Sequence, residues 1–123
     1  KAIVCAVPLL DMYRYSQMLA GASWMAEYGD PSKPDEWAYI GKYSPYHGVK
    51  AGMKYPKVLF TTSTKDDRVH PGHARKTTAL LKDLGYDVLL YENIEGGHAG
   101  AANNAQTAYR QALSYSFLFK ELT

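Results

Sequence analysis

Phe60-Thr61-Thr62-Ser63-Thr64-Lys65-Asp66-Asp67-Arg68-Val69-His70-Pro71-Gly72-His73-Ala74-Arg75-Lys76 joins three kinds of chain in one run. The apolar, β-branched stretch that feeds it makes Val58–Thr62 a buried strand. Lys65, Asp66, Asp67 and Arg68 set a knot of charge at the C-terminal end of that strand. After Pro71 the pattern turns helical. Gly72–Leu84 reads as an amphipathic helix with Ala79, Leu80 and Leu84 on one side and Arg75, Lys76 and Lys82 elsewhere, stopped by Gly85. Asp87–Tyr91 is a further strand. Strand, helix, strand in this order is a parallel crossover unit, and in open α/β sheets ligands and chemistry collect at the C-terminal strand ends.

Outward from this unit the same class continues. Residues 2–7 are a continuous apolar run, ended by Pro8, and suit another buried parallel strand. Residues 12–28 have helical composition, with Met18, Ala22, Met25 and Ala26 near helical spacing and Gly21 against it. Gly29 to Pro34 is a loop, and Asp35–Lys42 a short helix with acids in its first turn. Ser44 to Pro56 reads as an irregular connection. Asn104 to Leu122 is a long terminal helix carrying an apolar stripe of Ala105, Ala108, Ala112, Tyr115 and Phe119. The expected fold is α/β, a mostly parallel sheet with flanking helices.

The 123 residues suffice for one domain with a real core. A net charge of +2 with dispersed basic residues gives no nucleic-acid footprint, so no such partner is expected. No apolar run nears the roughly 18 residues that span a bilayer, and no membrane partner is expected. The single Cys5 rules out an intrachain disulfide framework. No signal-peptide pattern is visible, and the compartment stays open between cytoplasm and periplasm. The chain lacks an initiator Met and enters a strand almost at once, so we expect a piece of a longer protein.

A second charged loop stands downstream, Glu92-Asn93-Ile94-Glu95-Gly96-Gly97-His98-Ala99-Gly100. One helix and one strand separate Asp66 from His98, so both should emerge at the same sheet edge on neighbouring strands. A carboxylate beside an imidazole fixes its tautomer and stabilises the imidazolium formed when His acts as a base. The other reading has Asp66-Asp67 capping the helix and His98 as an exposed loop residue. A nucleophile is missing from either. No serine has glycine at both elbow positions; Ser23 has Gly21 before it but Met25 after it, and Cys5 lies inside an apolar strand. Pro71-Gly72 interrupts His70 and His73, and no third ligand has clear spacing, so no metal is expected; nor is any cofactor. Trp24 and Tyr28, one helical turn apart, line one pocket or belong to the core.

Taken in order, Leu10-Asp11-Met12, Gly21-Ala22-Ser23-Trp24-Met25-Ala26-Glu27-Tyr28-Gly29, Lys42-Tyr43-Ser44-Pro45, Thr64-Lys65-Asp66-Asp67-Arg68-Val69 and Gly96-Gly97-His98 resemble the prolyl oligopeptidase family of serine peptidases. They cover nearly the whole chain. The resemblance implies the C-terminal half of an α/β-hydrolase fold, residues 1–123 being the C-terminal part of a peptidase catalytic domain. The nucleophile elbow and a β-propeller would lie outside these residues. It implies Asp66 as triad acid and His98 as base, cleavage of short peptides after proline, and a fragment inert by itself. Arg68 would bind a substrate carbonyl, and Trp24 would stack on the proline, with Tyr28, Val69 and Leu9 completing the pocket. Such an aromatic face and fixed guanidinium suit a proline ring and a carbonyl oxygen. Ala99 departs from the family, where glycine is common. The implied partners are short proline-containing peptides, the rest of the catalytic domain and the propeller. The rivals are an aminopeptidase or esterase of the same superfamily, against which Trp24 argues, and a non-catalytic peptide-binding module.

Overall fold

A computed structural model describes all residues, 1–123. Three parallel strands, β1 (Ala2–Ala6), β2 (Lys57–Ser63) and β3 (Val88–Asn93), lie in the order β1-β2-β3. Ala2 pairs with Lys57, and Val58 with Val88, which sets every later pair. Between β1 and β2 come short helical pieces: two 3-10 turns at Tyr15–Gln17 and Leu19–Trp24, then α1 (Met25–Tyr28), α2 (Pro34–Ile40) and α3 (Pro45–Gly48). Helix α4 (Gly72–Asp83) crosses from β2 to β3, and α5 (Asn104–Leu122) closes the chain. This is the α/β arrangement the sequence pattern called for.

Alternation along the strands divides the core. Phe60 joins Leu10, Ala74, Leu81 and Val88 on the α4 face, with Cys5, Val58 and Leu90 packed against them. Each such large side chain contributes roughly 1.5–3 kcal/mol by leaving water. A second cluster, Met12, Tyr15 and Ile40, lies under the helical excursion and supports Leu9, Trp24 and Tyr28.

Four local expectations change. Residues 12–28 do not form one helix. Leu19 sits at φ 51, and a Cβ on Gly21 would fall 1.7 Å from the Tyr15 carbonyl oxygen, so the chain folds tightly back on itself there. The Ser44–Pro56 connection contains α3, which starts where Pro45 occupies the first helical turn. The buried side of α4 is His73, Ala74, Thr77, Thr78 and Leu81, and Ala79 is exposed. His73 and Thr77 can be buried there because His73 Nδ1 accepts the Asp11 N–H at 3.0 Å and the Thr77 hydroxyl donates to the His73 carbonyl at 2.9 Å, whereas the buried Thr78 hydroxyl has no partner. On α5 the stripe of Ala105, Ala108, Ala112, Tyr115 and Phe119 points outward. Its sheet-facing side is Arg110, Leu113, Ser114, Phe117 and Leu118. The helix is apolar on both sides, so spacing alone picks neither.

Candidate active site

The C-terminal ends of β2 and β3 open into two loops. The first turns on Asp66. Its Oδ1 accepts the backbone N–H groups of Arg68 and Val69, both at 2.9 Å, which closes an Asx-type turn and sinks the carboxylate to 4% exposure. Asp67, its neighbour, is exposed. The second loop carries His98. Gly96 is required where the two arms of this loop touch, since a Cβ there would lie 2.6 Å from the Ala101 nitrogen. Gly100 takes φ +81, in the left-handed region that glycine enters without strain.

The two loops bring Asp66 and His98 together. His98 Nδ1 lies 3.1 Å from Oδ1 and 3.0 Å from Oδ2 of Asp66. The carboxylate is fully buried, whereas the imidazole is 36% exposed. A carboxylate held in place by two N–H groups offers only acceptor oxygens to the ring, so the histidine proton that faces it sits on Nδ1. Nε2 is left with its lone pair outward, the form in which an imidazole takes a proton from a hydroxyl.

Beside the dyad lies a cleft of about 200 Å³. Leu9, Trp24, Tyr28 and Val69 line it, and Glu27 adds one carboxylate at its wall. Val69 comes from the Asp66 turn itself, so dyad and cleft share a loop. Leu9 follows β1, and Trp24 and Tyr28 come from the excursion. The floor is firm: Tyr15 meets Tyr28 edge-to-face at 5.8 Å, and its hydroxyl donates to the Gly29 carbonyl. Arg68 is exposed and does not line the cleft; its backbone carbonyl accepts the Ala20 N–H at 3.3 Å, which ties the Asp66 turn to the excursion. Glu27 escaped the sequence reading, although it shares a helical face with Trp24 and Tyr28 at i, i+3, i+4 spacing.

The serines offer no partner for the imidazole within the chain. Ser63 is completely buried at the end of β2. The Ser23 hydroxyl donates to the Ala20 carbonyl at 2.6 Å on an exposed turn. Cys5 is half-buried in β1, and burial pushes its thiol up from the ordinary value, away from the reactive thiolate.

The whole chain, residues 1–123, matches the model of the prolyl oligopeptidase family. An uncharacterized peptidase of Sinorhizobium fredii is 57% identical over 98% of the chain, and a prolyl endopeptidase of Elizabethkingia miricola 37% identical over 94%. The chain spans 17% of the length of each. A solved prolyl endopeptidase structure is 41% identical and superposes with a TM-score of 0.93, over 98% of this chain and 18% of that one.

Proposed function

The chain belongs to the prolyl oligopeptidase family, and from that premise we propose that residues 1–123 are the C-terminal part of a serine peptidase catalytic domain that cleaves short peptides after proline. Asp66 is the acid and His98 the base of a Ser-Asp-His triad whose serine precedes Lys1 in the full protein. That serine attacks the scissile carbonyl. His98 Nε2 takes its proton and later gives it to the leaving amine, while Asp66 holds Nδ1–H and stabilises the imidazolium. Trp24, Tyr28, Val69 and Leu9 receive the proline ring, and Arg68 holds a substrate carbonyl beside them. A β-propeller and the first half of the hydrolase domain are its intramolecular partners.

The observation that carries the reading is the contact of His98 Nδ1 with a buried, doubly held Asp66 at the strand ends, next to an apolar cleft with an aromatic wall. The test is made in the full-length protein with a chromogenic prolyl amide. His98→Ala and Asp66→Asn are each expected to lower kcat by about 10⁴-fold or more, the scale seen when a triad loses a member. Asp67→Asn is expected to stay within about threefold of wild type, because that side chain points to solvent. Full activity in His98→Ala would overturn the assignment.

A further inference from the structure

Both loops of the dyad are held by one residue that touches neither reacting group. Asn93, the last residue of β3, is 5% exposed. Its backbone carbonyl accepts the Thr64 N–H at 2.8 Å, two residues before Asp66. Its Oδ1 accepts the N–H groups of Glu95 and Gly96 at 2.9 and 2.7 Å, which turns the chain toward His98. Its Nδ2 donates to Oε1 of Gln106 at 3.0 Å. That same Gln106 oxygen accepts the Ala102 N–H at 2.7 Å, on the far side of His98. Gln106 is in turn anchored in the first turn of α5, where its own N–H is capped by Asn103 Oδ1 at 2.9 Å. Two side-chain amides therefore close the throat of the His98 loop, binding its entry and exit arms, while the Asn93 backbone sets that loop against the Asp66 loop.

We propose that the Asn93–Gln106 amide pair is a positioning device for the base: it fixes the reach of His98 to Asp66 and aims Nε2 at the nucleophile. The proposal rests on the reading of Asp66 and His98 as acid and base. The chemistry suits the task. Amides carry no charge and do not titrate, so they hold the loop at every working pH without perturbing the dyad's field. Asn93 also satisfies two N–H groups in a loop that has no regular ladder to take them. Proton transfer tolerates little displacement; misplacement by about 1 Å costs on the order of 10²-fold.

The test uses the full-length protein and a prolyl p-nitroanilide. Asn93→Ala and Gln106→Ala are each expected to lower kcat by about 10- to 100-fold with KM held within about threefold. The Gln106 Nε2 donates to Glu95 Oε2, so the rescue is the swap Gln106→Glu with Glu95→Gln: it keeps an oxygen for the Asn93 amide and the Ala102 N–H, keeps the contact with residue 95 and leaves the net charge unchanged, and is expected to recover most of the kcat lost in Gln106→Ala. Thermal midpoints are read alongside. Gln106 lies on a partly exposed helix start, so its variants keep the test open should Asn93→Ala fail to fold. Wild-type kcat in Gln106→Ala overturns the proposal. So does a loss that moves KM and thermal midpoint together and is not recovered by the swap of residues 95 and 106, because that is a structural role only. His98→Ala runs in parallel: an inactive His98→Ala beside a fully active Gln106→Ala sinks the amide pair alone, whereas an active His98→Ala sinks the acid–base reading beneath it.

Discussion

Trp24 is the largest side chain lining the cleft, which it shares with Leu9, Glu27, Tyr28 and Val69. On the proposed reading, Trp24→Ala in the full-length protein is expected to remove stacking and buried area worth about 1–3 kcal/mol to a bound proline ring. That is a loss of roughly tenfold to more than a hundredfold in kcat/KM. The loss is expected to be larger for proline than for alanine before the cut, because alanine never fills the cleft. Matched Pro and Ala substrates measure it. An equal fall for both, with folding intact, makes Trp24 scaffold and removes the main support for post-proline specificity. At this scale the sequence was readable where a side chain's placement follows from its local frame. Asp66 precedes a turn whose N–H groups need an acceptor, and His98 stands among glycines that let the backbone come close. Glu27 was not readable, since a carboxylate on a short helix reads as solvent-facing unless its neighbours are known to line a cleft. The Asn93–Gln106 bond was hidden for another reason: it joins a strand end to a helix start through tertiary contact, which leaves no spacing pattern.

Helix α4 is the element whose stability answers to pH. His73 is 1% exposed, and burial pushes its imidazole down to about 4 from the ordinary 6.5, only partly opposed by the nearby Asp11 carboxylate. The geometry requires the neutral ring, because Nδ1 accepts the Asp11 N–H. The folded state therefore resists a proton that the unfolded chain accepts below pH 6.5. The stabilisation is complete above pH 6.5 and is lost as pH falls from 6.5 towards 4. At pH 5 the loss is roughly 1–2 kcal/mol. Asp11 does not blur this window. Burial alone would raise its carboxyl, but the hydrogen bond and charge of Lys76 and the Arg14 N–H outweigh burial and hold it below its usual range. Urea midpoints of the catalytic domain at pH 7 and pH 5 are expected to differ more in wild type than in His73→Asn; equal differences would show that His73 does not carry the effect. The same helix shows what an element-level reading cannot supply. Apolar spacing located α4 to within a residue at each end, yet it chose the wrong face, because the true inner face is paved with His73, Thr77 and Thr78. The excursion was harder still. Its composition is helical, but the close approach of Gly21 to Tyr15 and the left-handed Leu19 break it into turns.

Across the whole molecule, the sheet and its last helix both present apolar surface on one flank. β1 pairs only with β2, so its outward N–H and C=O groups form an open edge. Ile3 on that strand is 44% exposed. On the opposite face of the sheet Val4, Ala6 and Thr61 meet α5 around a cleft of about 290 Å³, with Tyr115 and Leu118 on its far wall. From there the outward stripe of α5 continues, with Tyr115 69%, Phe119 73% and Leu122 50% exposed. An exposed run of large apolar side chains of this kind marks a surface that another body covers. The proposed remainder of the catalytic domain supplies a cover through an added strand and its helix. The 123-residue chain alone is then expected to cover itself. Sedimentation at micromolar concentration should show species above the 13.7 kDa of one copy. Tyr115→Lys with Phe119→Lys should return it to a monomer, since two like charges per copy oppose burial of that stripe. The same preparation is expected to leave a prolyl amide uncut, because none of its serines lies in a Gly-x-Ser-x-Gly elbow. A wild-type chain that sediments as one copy, unfolds cooperatively and hydrolyses the amide would show that these residues need nothing further, against the division of the site proposed above.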